Sequence, residues 1–150
     1  MVKIEYAHEL PKVRLADNLE EIFCIIRKRW LILTPEEWVR QNFLHHLINT
    51  LHFPASLIAV EKTLVLAELK KRFDIVIYTN SAEPYIIVEC KEMNIPLTEN
   101  VLDQVMRYNI PLRAPYLIIT NGSYSRIFSL ENDHLKEIES FPELPNDKKV

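Results

Sequence analysis

The chain has 150 residues, 48% of them hydrophobic and 26% charged, proportions ordinary for a folded protein with room for one core. Its net charge of −3 offers no overall basic field for nucleic acid; no run of about 18 apolar residues is present to span a membrane, and Met1-Val2-Lys3-Ile4-Glu5 lacks the apolar stretch of a signal peptide. Gly122 is the only glycine, which excludes glycine-rich phosphate loops, and Cys24 and Cys90, the only cysteines, fit a reducing cytoplasm and are too few for a zinc site.

Residues 1–20 mix charged and apolar side chains without a period and read as an arm packed on the body. Glu21–Ile26 and Trp30–Leu33 are β-rich and flank the basic turn Arg27-Lys28-Arg29, a short hairpin whose tip is expected in solvent, with phosphate contact as the alternative. Thr34-Pro35-Glu36-Glu37 starts a helix: Thr34 caps, Pro35 takes the first turn, and Glu37 completes a capping box. The helix runs to about Leu51, with Trp38, Phe43, Leu44, Leu47 and Ile48 as its apolar stripe. Glu37, Arg40 and Gln41 share another face at i, i+3 and i+4. His45, His46 and His52 have no ligand spacing and are expected at the surface or an interface. Leu57–Glu61 reads as a strand that Leu64–Leu69 either continues or turns; Glu61 and Glu68 are candidate outer acids, with surface placement the default.

The central stretch is Arg72-Phe73-Asp74-Ile75-Val76-Ile77-Tyr78, a polar turn Thr79–Pro84, then Tyr85-Ile86-Ile87-Val88-Glu89-Cys90-Lys91. Two strands around turn residues make an antiparallel hairpin. A turn centred between Ser81 and Ala82 sets Asp74 opposite Glu89 and Arg72 opposite Lys91. Opposed side chains on one face lie about 4.5–5.5 Å apart at Cβ, so two carboxylates there repel and call for a positive group between them: a divalent cation, Lys91, or both. A hard cation keeps several waters and needs few protein oxygens. Taken alone, Asp with Glu-x-Lys is a weak pattern, common on solvated sheet faces; here it is embedded in apolar strands. Beyond the hairpin, Asn94–Leu97 links to a helix capped by Thr98 and running to about Asn109, with Val101, Leu102, Val105 and Met106 inward and Gln104 and Tyr108 sharing a flank. Pro115–Thr120 reads as a buried parallel strand, Asn121-Gly122 as a turn, and Ser125–Leu130 with His134–Ile138 as a C-terminal hairpin extension. Residues 142–150 are expected to fray.

The order helix, three strands, helix, strand, with Asp74 on the second strand and Glu89-Cys90-Lys91 on the third, resembles the PD-(D/E)xK nucleases. Lys71–Val76, Val88–Lys91, Asp103-Gln104-Val105-Met106-Arg107-Tyr108-Asn109, Thr120-Asn121-Gly122 and Thr34–Gln41 are similar to the N-terminal domain of type I restriction enzyme R subunits in a small stand-alone form. The resemblance implies one α/β domain over 1–150 with a restriction-endonuclease-like αβββαβ core, a mixed central sheet flanked by helices, and hairpins added at both ends. It implies Mg²⁺ or Mn²⁺ on Asp74, Glu89 and the Cys90 carbonyl. Lys91 would activate water and stabilise phosphate charge, Glu37 would complete the acidic site, and Gln104 would position Lys91, metal waters or DNA. Arg40, Arg72 and Tyr108 would touch substrate. The implied partners are DNA, restriction-modification subunits and a second copy of the chain. Phe73 stands where the proline that names the superfamily would be, and no motor region is present, so ATP-driven translocation is not expected. The rival readings are a non-catalytic module binding DNA or protein through the same cleft, and a structural oligomer subunit.

Overall fold

The computed structural model describes residues 1–6, 9–66, 68–109 and 114–145. Among these, the elements run β1 (Val2–Lys3), β2 (Val13–Ala16), β3 (Leu19–Cys24), β4 (Arg29–Ile32), α1 (Pro35–His45), β5 (Ile58–Leu66), β6 (Leu69–Tyr78), β7 (Pro84–Cys90), α2 (Glu99–Asn109), β8 (Tyr116–Thr120), β9 (Tyr124–Glu131) and β10 (His134–Ile138). Mixed α/β composition is thus as the sequence reads, and α1 to β8 follow the expected helix–strand order. A seven-stranded sheet runs β1-β9-β8-β7-β6-β5, with β10 also on β9, and β2-β3-β4 form a second sheet.

The Ile- and Val-rich strands are buried on both faces because each face has a helix. Side chains alternate along a strand. Ile77, Ile86, Val88 and Ile118 pack toward Val39, Phe43 and Leu44 of α1 and toward Leu47 just after it; Val76, Ile87, Leu117 and Ile119 pack toward Leu102 and Val105 of α2. β7 and β8 are parallel, Ile86 beside Tyr116. The hairpin β6–β7 has the predicted register, with Ile75 opposite Val88, Val76 opposite Ile87 and Ile77 opposite Ile86. Its one shift lies at Ile77/Tyr78, next to the turn, where Ala82 has φ 59°.

Alternation slips once. Phe73 sides with Val76 in the α2 cluster, while Ile75 belongs to the α1 cluster. On the neighbouring strand Ile58 and Val60 face α1 and Leu64 faces α2. The pairs Val60–Ile75 and Lys62–Phe73 bracket the slip, and the rung between them, Glu61 with Asp74, is not paired. Glu61 there is left-handed, φ 51°.

Several expectations need correction. The N-terminal arm does pack on the body, but it has regular structure of its own: β1 joins the large sheet, and β2 turns into β3 through Asp17 and Asn18, both left-handed (φ 50° and 62°), as a two-residue hairpin turn requires. β5 continues to Leu66 and β6 starts at Leu69. The first helix is α only to His45; a π-turn carries it from His46 to Thr50. Thr34 Oγ1 does accept the Glu37 N–H at 3.0 Å. His46 is buried against Tyr6, Phe43 and Phe141, because the N- and C-terminal segments cover it. The tail does not fray at its start: Pro142 is buried, Leu144 packs on the core, and Tyr85 Oη donates to the Glu143 carbonyl at 2.6 Å; residues 146–150 lie outside the described residues. No helix among the described residues is long and apolar enough to cross a membrane.

Gly122, at the β8–β9 turn, has φ +87°, and a Cβ there would meet Val39 Cγ2 at 3.2 Å. Gly122→Ala is expected to cost at least about 1–2 kcal/mol for the left-handed backbone, read as a lower urea midpoint; an unchanged midpoint would show that the turn relaxes freely.

Candidate active site

The β6–β7 register leads from Ile75 and Val88 to Asp74 and Glu89, and the two acids do meet. Asp74 is held by both oxygens: Oδ1 accepts Arg40 Nη2 at 2.7 Å and Oδ2 accepts the Cys90 N–H at 2.8 Å. The second bond closes the ladder with a carboxylate where a backbone carbonyl would otherwise serve. Glu89 is less well provided. Burial pushes its carboxyl up to about 7, and the Asp74 charge adds to this while Lys71 opposes it. Lys71 Nζ lies 3.3 Å from Glu89 Oε1, but Oε1 has no hydrogen-bond partner among the described residues. Lys71 also sits over the Phe73 ring, 4.8 Å from its centre. The cations in direct contact with the acid pair are therefore Arg40 and Lys71. The Lys91 backbone N–H is fixed on the Thr120 carbonyl at 2.8 Å, and Asn121 Nδ2 pins the following loop through the Ile95 carbonyl at 3.0 Å. Among the described residues the Lys91 ammonium makes no hydrogen bond or ion pair; its charge is felt at Glu36.

Helix α1 supplies the other half. Glu37 does not reach back as a capping box would. Its Oε2 bonds Arg40 Nη1 and its Oε1 accepts Gln41 Nε2 at 2.8 Å, with Arg27 Nη2 at 3.7 Å. It touches Asp74 only through Arg40, so it does not join the acid pair directly. Glu36 is the helix acid that lies open beside that pair: its side chain is 52% exposed, 3.3 Å from Arg40 Nη2. Partial burial and the Asp74 charge raise its carboxyl, against Arg40 and Lys91. Sequence reasoning missed Glu36, although Arg40 at i+4 was a signal for it.

Arg40 has a side chain only 6% exposed, surrounded by Glu36, Glu37, Glu61 and Asp74. Burial opposes its charge, and the Asp74 and Glu37 carboxylates more than offset this, so it stays a cation. So enclosed, it is not open to substrate, contrary to expectation. Arg72 is open, 67% exposed with Glu61 at 3.5 Å. Arg27 is no solvated tip: it bonds Glu61 and is 17% exposed. Gln104 lies on the outer side of α2, lining a hollow of about 350 Å³ with Asn100, Asp103 and Arg107, and no hydrogen bond links it to Lys91 or the acids among the described residues. The Tyr108 side chain lies outside the described residues.

The donors suit a hard divalent cation in kind. Two carboxylates converge, one of them with Lys71 at 3.3 Å from its buried Oε1, at the strand end that carries the Cys90 carbonyl. Among the described residues no group of three or more His, Cys, Asp or Glu is assembled for a metal, so waters would have to complete the shell.

Two outcomes follow. Arg40→Met leaves Asp74 and Glu37 buried without their cation and is expected to cost about 3–5 kcal/mol; urea unfolding showing under about 1 kcal/mol would refute it. Because folding raises the Glu89 pKa, the metal-free folded state holds a proton that the unfolded chain releases, so this contribution is present below about pH 5 and is lost as pH rises through about 7. The melting temperature should fall over that range, less steeply in Glu89→Gln; equal slopes would contradict the assignment.

No curated protein matches the chain. The family model described as type I restriction enzyme R protein N terminus (HSDR_N) matches residues 35–145, from the first turn of α1 past β10. The chain belongs to the family of the type I restriction enzyme R protein N terminus.

Proposed function

We propose that the chain is a metal-dependent DNA nuclease with a restriction-endonuclease-like core, hydrolysing phosphodiester bonds at the Asp74–Glu89 pair. The observation that carries this is the pair itself: two acids crowded at the end of a buried hairpin, one pushed up to about 7 with Lys71 at 3.3 Å as its cation. Carboxylates with shifted pKa values gather at sites where charge is used. Asp74, Glu89 and the Cys90 carbonyl would hold Mg²⁺ or Mn²⁺, with Glu36 next to them and Glu37 acting through Arg40. A divalent cation bound there supplies Lewis acidity and lowers the pKa of water. Lys91, with its ammonium unspent, orients the attacking water and offsets charge developing on the phosphate. Arg72 and, from the outer side of α2, Gln104 meet the DNA backbone. Restriction-modification subunits or a second copy of the chain, in the cytoplasm, are the partners this family membership suggests.

A second reading has its own support. Arg40 and Lys71 already neutralise the acids, as in a module that binds DNA without cutting it.

Calorimetric titration of Mn²⁺ is expected to give binding to the wild type that is lost in Asp74→Asn and that tightens as pH rises through about 7, since Glu89 must shed its proton. Mg²⁺-dependent cleavage of plasmid or single-stranded DNA should vanish in a folded Lys91→Ala variant. No Mn²⁺ heat with wild type between pH 6 and 8 would end the nuclease reading; DNA binding without turnover, indifferent to Lys91→Ala, would establish the module.

A further inference from the structure

We propose that Glu61 and Arg27 are positioning residues for the Asp74 carboxylate, so that the N-terminal β2–β3–β4 sheet is part of the active site. This rests on the reading above only in treating Asp74 as a site residue. Arg27 sits in the β3–β4 turn, N-terminal to the segment that the family model matches. Its guanidinium crosses to the large sheet, bonding Glu61 of β5 and approaching Glu37 of α1 at 3.7 Å. Glu61 in turn faces Arg40 at 3.6 Å and Arg72 at 3.5 Å. One carboxylate thus gathers three guanidinium groups, and the middle one holds Asp74.

The backbone says the same independently. Glu61 is left-handed in the middle of a strand, a conformation that costs a non-glycine residue about 1–3 kcal/mol and persists where surroundings enforce it. The residue across from it is Asp74, and both strands exchange faces at this rung. The kink therefore turns two side chains at once: Glu61 toward the arginines and Asp74 toward Arg40 and the Cys90 amide. Arg27 is the group that enforces it from outside the sheet. Burial raises the Glu61 carboxyl, but the Arg27 hydrogen bond and the charges of Arg40 and Arg27 outweigh this and hold it low. Without Arg27, Glu61 is left to draw Arg40 away from Asp74.

A staple that merely stabilises the fold, a charge acting at a distance and a positioning residue differ in what Arg27→Met does. The full chain is followed through the Cys90 amide resonance, which reports the bond to Asp74 Oδ2, and through Mn²⁺ titration. Positioning predicts that the Cys90 amide shifts and that Mn²⁺ affinity falls about tenfold, with Arg27→Lys recovering part of both. Loss of a cation acting by charge alone would tighten Mn²⁺, and a staple would lower the melting temperature and leave both readouts still. Either result in a folded variant overturns the proposal. Should Arg27→Met not fold, Glu61→Gln carries the same amide readout, and an unmoved Cys90 amide there overturns it equally. If the wild type binds no Mn²⁺, the nuclease reading fails while the amide shift still decides this one.

Discussion

The structure turns on one buried cation. Arg40 projects from α1 into a ring of carboxylates drawn from its own helix, from β5 and from β6. Removing a guanidinium from water is expensive, and only close, well-directed oxygens offset the cost. Those oxygens align the helix with the sheet at this point, together with the buried apolar contacts of Val39, Phe43 and Leu44. The planar fork matters too: two nitrogens of one rigid group reach Glu37 and Asp74 at once, where an ammonium offers a single nitrogen.

The two acids of the hairpin live in unlike surroundings as a result. Asp74 has a charged donor on one oxygen and a backbone amide on the other. Glu89 has a single lysine at ion-pair distance and an oxygen without a hydrogen bond. The protein therefore spends its donors on one side of the pair, and the side left wanting is the one from which a proton moves near neutral pH.

Local chemistry was legible in the sequence. The strand–turn–strand pattern gave the Asp74–Glu89 register, Thr34-Pro35 gave the start of α1, and Thr98 the start of α2. The family was readable from short motifs in order. What escaped was set by distant partners. Arg27 looks like a hairpin tip until β5 is folded against it. His46 looks polar until Tyr6 and Phe141 close over it. Glu37 fits a capping box by spacing, yet Arg40 and Gln41 compete for its oxygens and win. Lys91 was the nearest cation in sequence to Glu89, whereas Lys71 reaches it across strands. The left-handed Glu61 carries no signal of its own, because nothing in Val60-Glu61-Lys62 resembles a turn.

That same kink has a bearing on assembly. β5 is one outer strand of the large sheet among the described residues, and an outer strand offers its unpaired amides and carbonyls as a template for a foreign strand. A left-handed residue in its middle throws the two halves of that template out of line. An incoming strand finds only a few consecutive groups to pair with on either side of Glu61, too short a run to hold. The geometry that aims Asp74 thus also interrupts the template that this margin would offer.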